Sequence, residues 1–134
     1  MAKTIVQSAK FRASPAALFE LYIDSKKHSA ATGSRASVSR REGGRFAAFG
    51  GGLIGRNLVV SPGRMIVQSW RSSGWKKADP DSILILTFSR ARGGGRVDLV
   101  HANVPDRDHG GIKSGWVKHY WRPWKAYLAR RGRA

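Results

Sequence analysis

The sequence predicts an α+β fold: an antiparallel sheet of about six or seven strands and a long C-terminal helix, with two short helices after the first strand. Three observations predict it. Short apolar runs separated by glycine-rich or proline-rich turns fill the middle of the chain, as hairpins require. No interval between them is long enough for a crossover helix, so a parallel sheet is excluded. From Gly111 onward, Ile112, Trp116, Val117, Tyr120, Trp121, Trp124, Tyr127 and Leu128 recur at spacings of three and four, the signature of one broad apolar helix face.

The elements follow in order. Thr4 to Arg12 alternates loosely and reads as a first strand, which stops at Ala13-Ser14-Pro15. Ser14 suits an N-cap and Pro15 the first helical position, where a missing N–H costs nothing. Leu18, Phe19 and Tyr22 then form an apolar face opposite Glu20 and Asp24. A second helical piece, Lys26 to Ala31, is expected to end at Gly33, which tolerates the left-handed conformation of a C-cap. Strands are predicted near Ser34 to Arg40, Arg45 to Phe49, Leu53 to Val60, Met65 to Arg71, Ser82 to Arg90 and Arg96 to Asn103. The final helix should run about 20 residues. Pro123 inside it lacks an N–H and collides with the carbonyl four residues back, which predicts a kink or break between His119 and Pro123.

The chain has 134 residues, no cysteine and 41% apolar residues, enough for one domain spanning residues 1–134 with a real core. Disulfides and thiolate metal sites are excluded. The start, MAKTIVQSAKFR, holds no uninterrupted apolar stretch of signal-peptide length, and no run approaches a membrane span, so a cytoplasmic protein is expected. The 25 Lys and Arg outweigh the 8 Asp and Glu, for a net charge of +17. Residues 1–67 carry 11 basic and 3 acidic groups and residues 68–134 carry 14 and 5, so there is no basic tail. A dispersed basic surface is the plain reading. Polyanion binding remains an alternative, with nucleic acid disfavoured because the tryptophans are expected to face inward. The densest basic end, from Arg122 through Lys125, Arg130 and Arg131 to Arg133, is a candidate anion site.

Catalytic signatures are missing. The histidines lie at 28, 101, 109 and 119 without metal-ligand spacing, no Gly-x-Ser-x-Gly elbow occurs, and no glycine loop has the phosphate-loop pattern. Asp106, Asp108 and His109 read as a turn entering the last helix, with carboxylates near its N-terminus. Trp75, beside Lys76 and Lys77, reads as a cap on a hairpin loop. No enzymatic activity, cofactor or metal is expected.

Several motifs occur in a telling order: Ala13-Ser14-Pro15; Gly43-Gly44-Arg45-Phe46; Leu53 to Leu58; Pro62-Gly63-Arg64-Met65 through Gln68 and Trp70 to Arg71; His101 to Pro105; and Gly115-Trp116 leading to Tyr120-Trp121-Arg122-Pro123-Trp124. Across nearly the whole chain they resemble the activator of heat-shock-protein-90 ATPase homologue (AHSA) family, in the START-like superfamily that includes the major birch pollen allergen. The resemblance implies a helix-grip fold with a cavity between sheet and helix that takes a small hydrophobic or amphipathic ligand. Alternate strand residues share a face. That parity proposes Ile66, Gln68 and Trp70 on one strand, Leu99, His101 and Asn103 on another, and Trp116, Tyr120 and Trp124 on the helix as the lining. Packing that fills the grip is the alternative reading of the same residues. The family name suggests a second role in stress response, on a chaperone. On this reading the chain carries the homology domain without the separate N-terminal chaperone-binding domain of eukaryotic activators, so ATPase stimulation does not follow from the resemblance alone. Monomer and homodimer both fit.

Overall fold

The computed structural model describes residues 2–131. Strand β1 (Ala2–Phe11) leads into helices α1 (Pro15–Ile23) and α2 (Ser25–Thr32). Strands β2 (Ala36–Val38), β3 (Arg45–Ala48), β4 (Leu53–Ser61), β5 (Met65–Ser72), β6 (Ser82–Ala91) and β7 (Gly94–Pro105) follow. A single 3-10 turn, Asp106–Asp108, enters the C-terminal helix, made of α3 (His109–Trp116), a π-helical turn Val117–Trp121 and α4 (Arg122–Arg131). The seven strands form one antiparallel sheet ordered β1-β7-β6-β5-β4-β3-β2. Among the described residues no helix is long and apolar enough to cross a membrane.

Local chemistry sets the helix ends. The Ser14 hydroxyl accepts from the Ala17 amide, Pro15 occupies the first turn, and Asp24 caps α2 by accepting from Lys27. Gly33 closes α2 at φ 76. The expected strand from Ser34 to Arg40 shrinks to Ala36–Val38, because the carbonyls of Ser39 and Arg41 are taken by the Asn57 side chain instead of a ladder partner. Conversely β7 starts two residues earlier than expected, at Gly94. A Cβ there would sit 2.1 Å from the Phe11 carbonyl oxygen, so only glycine lets β1 approach this closely.

Pro123 does not break the helix. The Arg122 amide bonds to the Val117 carbonyl, five residues back, and this π turn ends just before the proline. The widened turn accommodates the ring while the chain stays helical to Arg131. It also brings both Tyr120 and Trp121 inward beside Trp116 and Trp124, all four buried. Trp121 Nε1 donates to Gln7 Oε1 at 2.8 Å and Gln7 Nε2 donates to the Lys113 carbonyl at 2.8 Å, tying the helix to edge strand β1.

The concave face of the sheet, with α1 and the C-terminal helix, holds the core, including Ile5, Leu18, Ile66, Leu84, Leu86, Val97 and Leu99. On the convex face, Val6, Val100, Ile85, Val67 and Val59 stand opposite one another across five strands, a β-branched ladder of the kind that stabilises cross-strand pairing.

Candidate functional site

The expected lining residues Ile66, Gln68, Trp70, Leu99, His101, Trp116, Tyr120 and Trp124 are all buried under the C-terminal helix. Asn103 is a correction: it is exposed, at φ 62, and its side chain donates to the Asp81 carbonyl at 3.1 Å. The β1–β7 register shifts between Lys3 and Ile5, so one extra β7 residue bulges there, parity slips, and Val104 turns inward in its place.

The polar members of the set are committed to one another or to residues the sequence did not single out. Trp116 Nε1 donates to His101 Nδ1 at 3.1 Å. The indole can only donate, so His101 carries its proton on Nε2 and gives it to Ser82 Oγ at 2.8 Å; Ser82 in turn donates to the Trp70 carbonyl at 2.6 Å. A second chain crosses the sheet. Tyr22 donates to Gln68 Oε1 at 2.8 Å, Gln68 Nε2 donates to Asn57 Oδ1 at 2.9 Å, and Asn57 Nδ2 holds the carbonyls of Ser39 and Arg41. A third joins helix to helix: His28 Nδ1 donates to the Tyr22 carbonyl at 2.7 Å and the Tyr120 hydroxyl donates to His28 Nε2 at 2.9 Å. Burial pushes the His101 imidazole down to about 3. It also lowers His28, against the opposing effect of its backbone hydrogen bond. Burial, with Tyr120 nearby, raises Tyr22 well above the usual phenol range, and burial raises Tyr120 as well. All four stay neutral near pH 7.

Tyr22, His28, Asn57 and Ser82 thus complete the interior, and no sequence periodicity marked their polar atoms. Trp75 does more than cap a loop: it is buried, packs 5.6 Å from Trp70 between ring centroids, and donates to Asp108 Oδ2 at 2.7 Å. Asp106 pairs with Lys3 at 3.1 Å. Among the described residues no group of three His, Asp or Glu is arranged to hold a metal ion.

Space remains at one end of the helix. A cavity of about 380 Å³ lies between Phe49, Leu53 and Trp70 on the sheet side and Ile112, Trp116 and Tyr120 on the helix side, with Gly111, Gly115 and His119 at its rim. Its walls are almost wholly apolar. Of the expected lining, only Trp70, Trp116 and Tyr120 reach it; the other buried members fill the grip. Trp70 Nε1 is buried with no hydrogen-bond partner, as is Trp124 Nε1. Phe49 adopts φ 52, rare for a bulky residue, and its ring lies 5.5 Å from that of His119 and 5.7 Å from that of Tyr120 in the cavity wall.

The basic candidates on α4 do not converge. At 100° per residue, Arg131 lies opposite Arg122 around the helix. Arg130 and Arg131 stack near Tyr127, whereas Lys125 lies 5.9 Å over Phe11. Arg133 lies outside the described residues.

A family model described as "Activator of Hsp90 ATPase homolog 1-like protein" matches residues 12–129. The chain belongs to this family. Its relatives include the "Activator of 90 kDa heat shock protein ATPase homolog" of Dictyostelium discoideum, 28% identical over 117 residues, a match covering 87% of this chain and 30% of that protein. An uncharacterised protein of Schizosaccharomyces pombe is 26% identical over 121 residues, covering 90% of this chain and 36% of that one. The chain therefore spans about a third of the length of these two relatives. The crystal structure of an HSP90 activator from Plasmodium falciparum superposes with a TM-score of 0.81 at 22% identity, over 96% of both chains, a likeness of fold.

Proposed function

We propose that this family member is a non-catalytic, cytoplasmic binding module that takes a small hydrophobic or amphipathic molecule. The observation that carries the reading is the 380 Å³ apolar cavity between sheet and helix. That volume falls in the lower range of small-molecule pockets, roughly 300–1,000 Å³. The strained Phe49 in the lining fits a movable wall better than a core residue. Because the buried histidines and tyrosines already have hydrogen-bond partners, the ligand is held by shape and apolar contact.

Titration with isopropylbenzene, an apolar probe of fitting size, tests this by tryptophan fluorescence. Saturable binding is expected. Gly115→Leu should weaken it at least tenfold without lowering stability, since a Cβ at Gly115 meets nothing closer than 3.7 Å. Absence of saturable binding, or an unaffected variant, removes the reading.

A second reading, regulation of a 90 kDa heat-shock protein, is favoured by the name of the Dictyostelium relative, whose match covers most of this chain. Adding the protein to the chaperone of its own organism should raise ATP turnover. Unchanged turnover removes that role.

A further inference from the structure

A second concavity, larger than the aromatic cavity, lies elsewhere. A groove of about 790 Å³ runs between the end of β1, the β6–β7 turn and α4. Lys10, Arg12, Arg92 and Lys125 line it, over a floor of Phe11 and Leu128. Among the described residues no carboxylate lines it, and all eight Asp and Glu side chains have hydrogen-bond or ion-pair partners elsewhere. Four cations therefore line one cleft with no carboxylate among the described residues to balance them. Lys125 is held toward the cleft by its position over the Phe11 ring.

We propose that this groove binds an organic phosphate monoester with an apolar body. The phosphate follows from the cations: a monoester carries about −1.5 to −2 charges, and the forks of Arg12 and Arg92 match its oxygens in pairs, which a single carboxylate would leave underused. The apolar body follows from the floor and from the volume, which greatly exceeds that of an inorganic phosphate ion. The components lie far apart in sequence, on β1, a hairpin turn and the last helix, and the fold alone assembles them. This site is separate from the aromatic cavity and takes a ligand of opposite character at its head.

Hexyl phosphate is the probe, followed by calorimetry and by amide NMR shifts, with inorganic phosphate and hexyltrimethylammonium alongside. Hexyl phosphate should bind, inorganic phosphate at least tenfold more weakly, and the ammonium compound not at all. Shifts should centre on Phe11, Gly93 and Leu128. The exposed pair Arg92→Gln and Lys125→Gln should weaken binding about tenfold, a few-fold for each cation. The remote pair Arg45→Gln and Arg56→Gln, on the convex sheet face, should change it less than twofold. Equal losses from both pairs would overturn the groove in favour of a diffuse field. Unchanged affinity in the groove pair, with shifts around Trp70 and Ile112, would overturn it in favour of the alkyl chain entering the aromatic cavity. Tighter binding of short duplex DNA than of hexyl phosphate, lost equally in both pairs, would overturn it in favour of a polyanion surface.

Discussion

Mild acid should loosen this fold before any carboxylate titrates, and His101 supplies the lever. In the unfolded chain its imidazole takes up a proton near 6.5; in the folded chain burial holds it at about 3. Stability is therefore full above pH 6.5 and is withdrawn as pH falls through that window, because the unfolded state gains protons that the folded state refuses. At about 1.4 kcal/mol per pH unit, His101 alone withdraws about 2 kcal/mol between pH 6.5 and 4.5, and about 5 kcal/mol once pH passes 3. Geometry explains the refusal. A second proton would land on Nδ1, which already accepts from Trp116 Nε1, setting donor against donor. His28, also lowered, acts in the same direction. Carboxylates held low by cations, such as Glu20 beside Arg40 and Asp79 beside Arg107, enter only at lower pH. Urea unfolding at pH 6.5 and 4.5 reads the effect against His101→Gln, which keeps a donor and an acceptor but does not titrate. Wild type should lose about 2 kcal/mol more than the variant across that interval. Parallel losses, or a His101 NMR titration near 6.5, would refute the reasoning.

Other expectations follow from single positions. Gly55→Ala places a Cβ 1.8 Å from the Ser69 carbonyl oxygen, forcing β4 from β5; about 3 kcal/mol or more should be lost in urea unfolding. Asn103→Val puts a β-branched residue at φ 62 and should cost about 1–2 kcal/mol, whereas Asn103→Gly should fall within about 0.5 kcal/mol of wild type. Tyr120→Phe leaves His28 Nε2 buried without its donor and should cost about 1–3 kcal/mol. Gly110→Ala, in an exposed turn of α3 with open space at the Cβ, should raise stability by about 0.8–1 kcal/mol.

Much of the fold was legible because it rests on local rules. Ser14-Pro15 marks a helix start, Gly33 a helix end, and alternation places Ile66, Gln68 and Trp70 on one face of β5. Where two segments jointly decide an outcome, the local rules fell short. The bulge that turns Asn103 outward depends on β1 pairing, and the shortness of β2 depends on an asparagine in β4. Pro123 announced a disturbance near its position, but not that a π turn over Val117–Trp121 would absorb it. The candidate site was half legible for the same reason. Parity gathered the polar residues, yet whether they face a ligand or one another depends on Tyr22, His28, Asn57 and Ser82, contributed by other elements. The groove is less legible still, since its cations are spread from Lys10 to Lys125 among other lysines and arginines of the same appearance.

Native mass spectrometry of the protein purified without detergent tests the central claim most directly. Wild type is predicted to carry a small apolar adduct that extraction into organic solvent recovers, and Gly115→Leu, its cavity filled, is predicted to run at the bare chain mass. A bare chain from both, or the same adduct on both, would contradict the account.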